Sequence, residues 1–192
     1  MSGSPIQDAL VFLINTVFGI YILFVVLRFL LAWVRADFYN PISQAIVKIT
    51  NPALLPLRRL IPGYGGVDWS SVVLMLLLKI VELELVGLVI FGKLLAPAGV
   101  LVIAVAELLR LTIYIFMFAV FVQVVLSWVT PGAYNPFTVI LYRLTEPLLR
   151  PARQLLPPIG GFDFSPVVVL VLLNLTIILI INPLLGVGGR LV

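Results

Sequence analysis

Four long apolar runs dominate the chain, at about 10–34, 71–92, 100–129 and 167–185. Crossing a hydrocarbon core of about 30 Å takes about 20 helical residues, so each run predicts one membrane-spanning helix. Two connectors of about 30 residues separate the first run from the second and the third from the fourth. That length is unusual for structureless loops, and the pattern within them is helical. Asn40-Pro41 offers an N-cap followed by a first-turn proline, and Asn51-Pro52 nearly repeats it; Asn135-Pro136 and Glu146-Pro147 do the same in the second connector. Two short helices per connector are therefore predicted. Ile42, Ala45, Ile46 and Ile49 share a face with Ser43, Gln44 and Lys48 off it, while Leu54, Leu55, Leu57, Leu60 and Ile61 leave Arg58 and Arg59 to project. Amphipathic segments of this kind belong in the headgroup plane, apolar face down and cations reaching up.

The connectors also expose a duplication. Shifting the chain by 95 residues places Trp33 on Trp128, Tyr39-Asn40-Pro41 on Tyr134-Asn135-Pro136, and Thr50 and Pro52 on Thr145 and Pro147. The register continues without a gap through Pro56, Arg58, Leu60, Pro62, Gly65, Gly66, Asp68 and Ser70, which fall on Pro151, Arg153, Leu155, Pro157, Gly160, Gly161, Asp163 and Ser165. From Trp33 to Val73, 18 of 41 positions are identical, too many in one register for shared hydrophobicity to explain. The expected architecture is an all-α membrane protein of two tandem repeats, 1–97 and 98–192, each reading helix, connector, helix. With two spans per repeat, both halves enter the membrane in the same direction, unlike the inverted repeats of many transporters.

The Pro, Gly-Gly, Asp, Ser run reads as a corner: Pro62 ends a connector helix, Gly65-Gly66 admits positive φ, and Asp68 or Ser70 caps the next span. Glycines ahead of a helix can also cradle phosphate. Here no Lys-Ser/Thr pair follows, and Asp68 and Asp163 would repel an anion, which favours the corner.

Composition settles the class. The 192 residues are 62% hydrophobic and 10% charged, with a mean hydropathy of +1.25, well outside the range of soluble domains. The first run is too long for a signal-peptide core and no Lys or Arg precedes it, so it reads as a retained helix. There is no Cys and no His, which excludes disulfides, thiolate chemistry and His-ligated metals or haem. No cofactor or metal site is expected. The net charge of +4 lies beside apolar segments with no dense basic run, which points to a membrane surface and away from nucleic acid. Arg35, Lys48, Arg58 and Arg59 in the first connector and Arg143, Arg150 and Arg153 in the second outnumber Lys93 and Arg190 opposite them, so the connectors are expected in the cytoplasm and both termini outside. Lys48, Arg58, Arg59, Arg143, Arg150 and Arg153 are the candidate contacts to anionic headgroups, and Trp33 and Trp128 are interfacial belt residues.

Six charges fall at membrane depth, where they are expensive: Arg28, Lys79, Glu82, Glu84, Glu107 and Arg110. Glu82–Arg110 is the candidate pair across the hairpin of the second and third spans, with Lys79–Glu82 and Glu107–Arg110 each three apart on one helix. The repeat maps Asn15 onto Arg110, Arg28 onto Gln123 and Lys79 onto Asn174, whereas Glu82, Glu84 and Glu107 fall on Ile177, Leu179 and Phe12. Each of these acids is present in one half only, without an acidic counterpart in the other. A buried ion-pair network that fixes packing or docks another subunit, and a conduction path, are both compatible with this set. Asn174 and Asn182 are expected to hydrogen-bond between helices. Catalysis finds no support, since Glu82 and Glu84 are two apart and do not face one another, and no nucleophile has an adjacent base.

The duplicated signature Trp, Tyr-Asn-Pro, Pro-x-Arg, Pro, Gly-Gly-x-Asp-x-Ser resembles the YggT family, which includes the YlmG-like proteins of Gram-positive bacteria and cyanobacteria and related plastid proteins. The resemblance spans essentially the whole chain, and two repeats at this length are similar to the proteobacterial type. It implies a bacterial inner membrane location and an association with osmotic tolerance and ion homeostasis, with cell division, or with cofactor assembly of a plastid cytochrome. It carries over no catalytic residue. The expectation is a non-enzymatic membrane adaptor or assembly protein tied to envelope or osmotic-stress homeostasis, binding lipids and other membrane proteins or itself. An oligomeric ion channel or transporter is the alternative.

Overall fold

The computed structural model describes residues 4–130, 132, 134–156 and 163–192. All regular structure among them is helical, and three helices pack together in each half. In the first half, α1 (Pro5–Trp33), α2 (Pro41–Leu60) and α3 (Trp69–Phe91) pack on one another; in the second, α4 (Pro97–Val129), α5 (Pro136–Leu155) and α6 (Ser165–Thr176) do likewise. A π-helical turn, Ile177–Ile181, joins α6 to α7 (Asn182–Leu191), which lies along α4. The turn has a local cause. Pro183 has no N–H to offer the carbonyl four residues back, and the chain widens instead, with Asn182 N–H bonded to Ile177 O.

Three helices are long and apolar enough to cross a membrane by length and composition: Pro5–Trp33, Pro97–Val129 and the continuous rod Ser165–Leu191. Helix α3, at 23 residues, is long enough as well, but Lys79, Glu82 and Glu84 lie in its middle.

The connectors depart from expectation, since each holds one 20-residue helix where two short ones were predicted. Pro52 and Pro56 lie inside α2, and Pro147 and Pro151 inside α5. All four prolines are exposed, as are Lys48, Pro52, Arg143 and Pro147, whose carbonyls they leave without a helical partner. The lost bonds lie on the exposed side of the helix, which tolerates them because its other side is anchored. In α2 that side is Ser43, Ile46, Thr50 and Leu54, spaced three and four apart.

The core repeats with the sequence. Val25, Leu54 and Leu74 form a buried cluster of α1, α2 and α3, and their equivalents at +95, Val120, Leu149 and Val169, form one of α4, α5 and α6. A third cluster joins the halves: Ile22, Val26 and Leu30 of α1 meet Leu108, Ile115, Phe116 and Ala119 of α4 and Leu141 and Leu144 of α5. Because Leu54 and Leu149 are 0% and 1% exposed at matching sites, Leu54→Ala and Leu149→Ala should each lower stability by a similar amount, about 2–5 kcal/mol, in denaturant titrations of the detergent-solubilised protein.

Candidate functional site

Two sets of polar residues are built into this frame. The first closes the corners between connector helix and long helix. Asn40 caps α2 by accepting from Ile42 N–H, and Asn135 caps α5 by accepting from Phe137 and Thr138 N–H, with Pro41 and Pro136 in the first turns. Asn40 Nδ2 also donates to Pro136 O at 2.7 Å, stitching the two connector helices together where both begin. Further along, Gly65 and Gly66 have φ of 65° and 77°, the left-handed region that glycine enters freely, and the chain reverses there. Asp68 then caps α3, accepting from Ser71 N–H and Oγ–H. Arg58, in the last turn of α2, forms an ion pair with Asp68, and Arg153 of α5 pairs with Asp163 at 2.9 Å and with Glu146 at 3.3 Å.

These two arginines, expected to contact headgroups, also tie each connector helix to the start of the next long one. Burial pulls both Asp carboxyls upward, but the bonds to them prevail: those from Arg58 and Ser71 hold Asp68 below the usual carboxylate range, and those from Ser165 and Arg153 do so for Asp163. Burial likewise opposes the charge on Arg153, and the bond to Asp163 outweighs it and holds the guanidinium above its ordinary value. Gly160 and Gly161, expected to turn the second corner, lie outside the described residues.

The second set lies along the long helices. Lys79 Nζ is 3.0 Å from Glu82 Oε1 on its own helix and 2.6 Å from Glu107 Oε2 on α4, while Glu107 Oε1 is 3.0 Å from Arg110 Nη2. The charges form one chain, Glu82–Lys79–Glu107–Arg110, and it lines a cavity of about 200 Å³ walled also by Gly19 and Ile22 of α1 and Tyr114 of α4. The cross-hairpin link is therefore Lys79–Glu107, and the expected Glu82–Arg110 pair is replaced by it; Glu82 Oε2 is buried without a partner. Two of the six charges are elsewhere. Glu84 accepts from Leu95 N–H at 3.1 Å and so holds the α3–α4 turn. Arg28 reaches α2, donating from Nη1 to Val47 O, Thr50 Oγ1 and Asn51 Oδ1.

A family model described as CCB3/YggT matches the chain twice, at residues 7–89 and 102–184, and both bounds are displaced by 95. The chain belongs to the CCB3/YggT family. It is 42% identical to the uncharacterized protein PA0392 of Pseudomonas aeruginosa over 96% of this chain and 94% of that one. It is 38% identical to the uncharacterized protein YggT of Escherichia coli K12, over 87% of this chain and 86% of that one. A Vibrio alginolyticus protein described as uncharacterized and in the proC 3' region is 36% identical, over 86% and 89%. No solved structure matches the chain.

Within this YggT-family fold the remaining predicted residues are at the surface. Lys48, Arg59, Arg143 and Arg150 are exposed, and Trp33 and Trp128 are 50% and 74% exposed at the ends of α1 and α4. Asn174 and Asn182, expected between helices, are exposed as well. Sequence reasoning missed the pairing of long helix with connector helix. Thr145 donates to Gln123 Oε1, and these are the +95 equivalents of Thr50 and Arg28. The signal was present: positions 28 and 50 are polar in both repeats, at the same separation. The charge chain predicts an order of sensitivity. Lys79→Met, which removes the link to both acids, should destabilise the detergent-solubilised protein by about 3–5 kcal/mol, as breaking a buried ion pair does, and Glu82→Gln at the end of the chain by clearly less, read as midpoints of thermal unfolding.

Proposed function

We propose that this chain is a non-enzymatic adaptor or assembly protein of the bacterial inner membrane, crossing it four times. In this reading α3 is the fourth span, its charges neutralised within the α3–α4 hairpin. Helices α2 and α5 lie as amphipathic elements on the cytoplasmic leaflet and the termini are periplasmic, an orientation supported by the excess of Lys and Arg in the connectors. The observation that carries the reading is the closure of Glu82, Lys79, Glu107 and Arg110 upon one another. The intramembrane charges are spent on holding two helices together, and Arg28 and Glu84 bond within their own half. What faces outward is a repeated surface: Tyr39 and Tyr134, at the start of the two connector helices, are 81% and 90% exposed, and Lys48 and Arg143 are exposed at equivalent positions further along them. Exposed aromatics and cations on the same helices suit a contact with another membrane protein at the headgroup level. The link to envelope and osmotic-stress homeostasis rests on the family resemblance.

The competing reading routes ions past the same charges, and one comparison separates them. Wild type and Glu82→Gln, each reconstituted in proteoliposomes, should show the same background ion flux. The Tyr39→Ala/Tyr134→Ala double variant should keep the wild-type melting temperature while losing the stoichiometric partner that co-purifies with wild type at native expression. Altered ion selectivity in a stable Glu82→Gln protein would overturn the adaptor reading.

A further inference from the structure

A second recess, of about 170 Å³, lies where α1 turns into α2. Its walls include Arg28 and Leu31 of α1, Phe38 of the turn, and Ser43, Ile46 and Arg58 of α2. Arg28 is 6% exposed and lies five residues before Trp33, so it enters from within the α1 rod. Its three hydrogen bonds all run from Nη1 and all end on neutral acceptors, at 3.3 Å on Val47 O, 2.7 Å on Thr50 Oγ1 and 2.8 Å on Asn51 Oδ1. Among the described residues no carboxylate pairs with it. Asp68, the acid of this corner, is taken by Arg58 and Ser71. Two guanidinium groups thus share one carboxylate, which leaves one formal positive charge. Ser43 supplies a second, independent irregularity: it is 5% exposed, and its Oγ is buried with no hydrogen-bond partner.

A buried cation without a counter-charge and a buried hydroxyl without an acceptor are each unfavourable alone. A small oxyanion satisfies both at once, since it brings negative charge and several acceptor oxygens, and guanidinium groups match phosphate in both geometry and charge. We propose that this recess is an oxyanion site that takes one phosphate group on Arg28, Arg58 and Ser43. The phosphate comes either from a phospholipid headgroup or from free inorganic phosphate. The repeat does not copy this charge balance. Position 123 is Gln where the first half has Arg28, and in the cavity lined by Gln123, Ser127, Trp128, Arg153 and Asp163 among others the one arginine among the described walls is paired with Asp163 and with Glu146. The inference stands independently of the adaptor reading, because it rests on the charge balance of one corner.

Gln123 also supplies the test, because Arg28→Gln copies into the first half a residue that the second half accommodates at the same place. The full-length chain in mild detergent is analysed by native mass spectrometry with added phosphatidylglycerol, and separately titrated with inorganic phosphate followed by phosphorus NMR. Wild type should retain one phosphate-bearing molecule per chain, Arg28→Gln should weaken its binding at least about tenfold, the equivalent of about 1.4 kcal/mol, and Ser43→Ala should weaken it several-fold with the melting temperature unchanged. Retention of the phospholipid that inorganic phosphate does not displace identifies a headgroup site; saturable binding of inorganic phosphate to delipidated wild type identifies a free-anion site. Should Arg28→Gln unfold, Ser43→Ala decides alone. No saturable binding of either probe, or binding that folded Arg28→Gln and Ser43→Ala both leave unchanged, would overturn the proposal.

Discussion

Each half of this protein depends on a buried threonine. Thr50 and Thr145 are both 0% exposed, each lies in the middle of a connector helix, and each meets a long polar side chain from the preceding rod, Arg28 in one half and Gln123 in the other. Arg28 adds bonds to Val47 O and Asn51 Oδ1; without the polar contacts made by Arg28 and Gln123, apolar packing would be left to fix the rotation and register of the connector helices on α1 and α4. With it, the rows that hold Leu54 and Leu149 are directed into the clusters completed by α3 and α6. The polar contact gives direction to a hydrophobic packing that is otherwise permissive, because apolar side chains of similar volume can slide or exchange at modest cost. The Thr50 hydroxyl accepts from Arg28 and donates its own hydrogen to Ile46 O, four residues earlier, whereas the single hydrogen of Thr145 has both Gln123 Oε1 and Leu141 O within reach.

Duplication explains how the two halves came to share a scaffold and differ in charge. The corner pairs Arg58–Asp68 and Arg153–Asp163 occupy equivalent positions and do the same mechanical work at the start of α3 and α6. The chain Glu82–Lys79–Glu107–Arg110 has no such copy, because its acids fall on Ile177 and Phe12. It runs across the α3–α4 hairpin, which is where one repeat meets the next. Symmetric interactions therefore build each repeat, and asymmetric ones join the repeats and set the charge of their recesses.

Much of this was legible in the sequence. The repeat register, the Asn caps of both connector helices, positive φ at Gly65-Gly66 and the Asp68 cap follow from local rules that act over two to four residues. The division of each connector into two helices failed because a proline is judged from sequence without knowing which side of the helix it occupies. Pro52, Pro56, Pro147 and Pro151 all face outward, where a missing hydrogen bond is easily replaced, while the inward side stays anchored. The Glu82–Arg110 pairing failed for a related reason. Residue counting from the turn gives depth along a helix but leaves the rotation of one helix against another undetermined, and that rotation brings Lys79 to Glu107. Family membership, read from the signature, was borne out by the double match of the family model.

The most direct test of the account is to remove only the threonine hydroxyls, keeping volume nearly constant, and to follow backbone hydrogen exchange by mass spectrometry in nanodiscs. Thr50→Val should speed exchange across α2 and leave α5 at its wild-type rate, and Thr145→Val should do the reverse, since each latch serves its own half. Unchanged exchange in both connector helices, or an equal increase across both from either single variant, would contradict the claim that these two buried contacts hold the two halves separately.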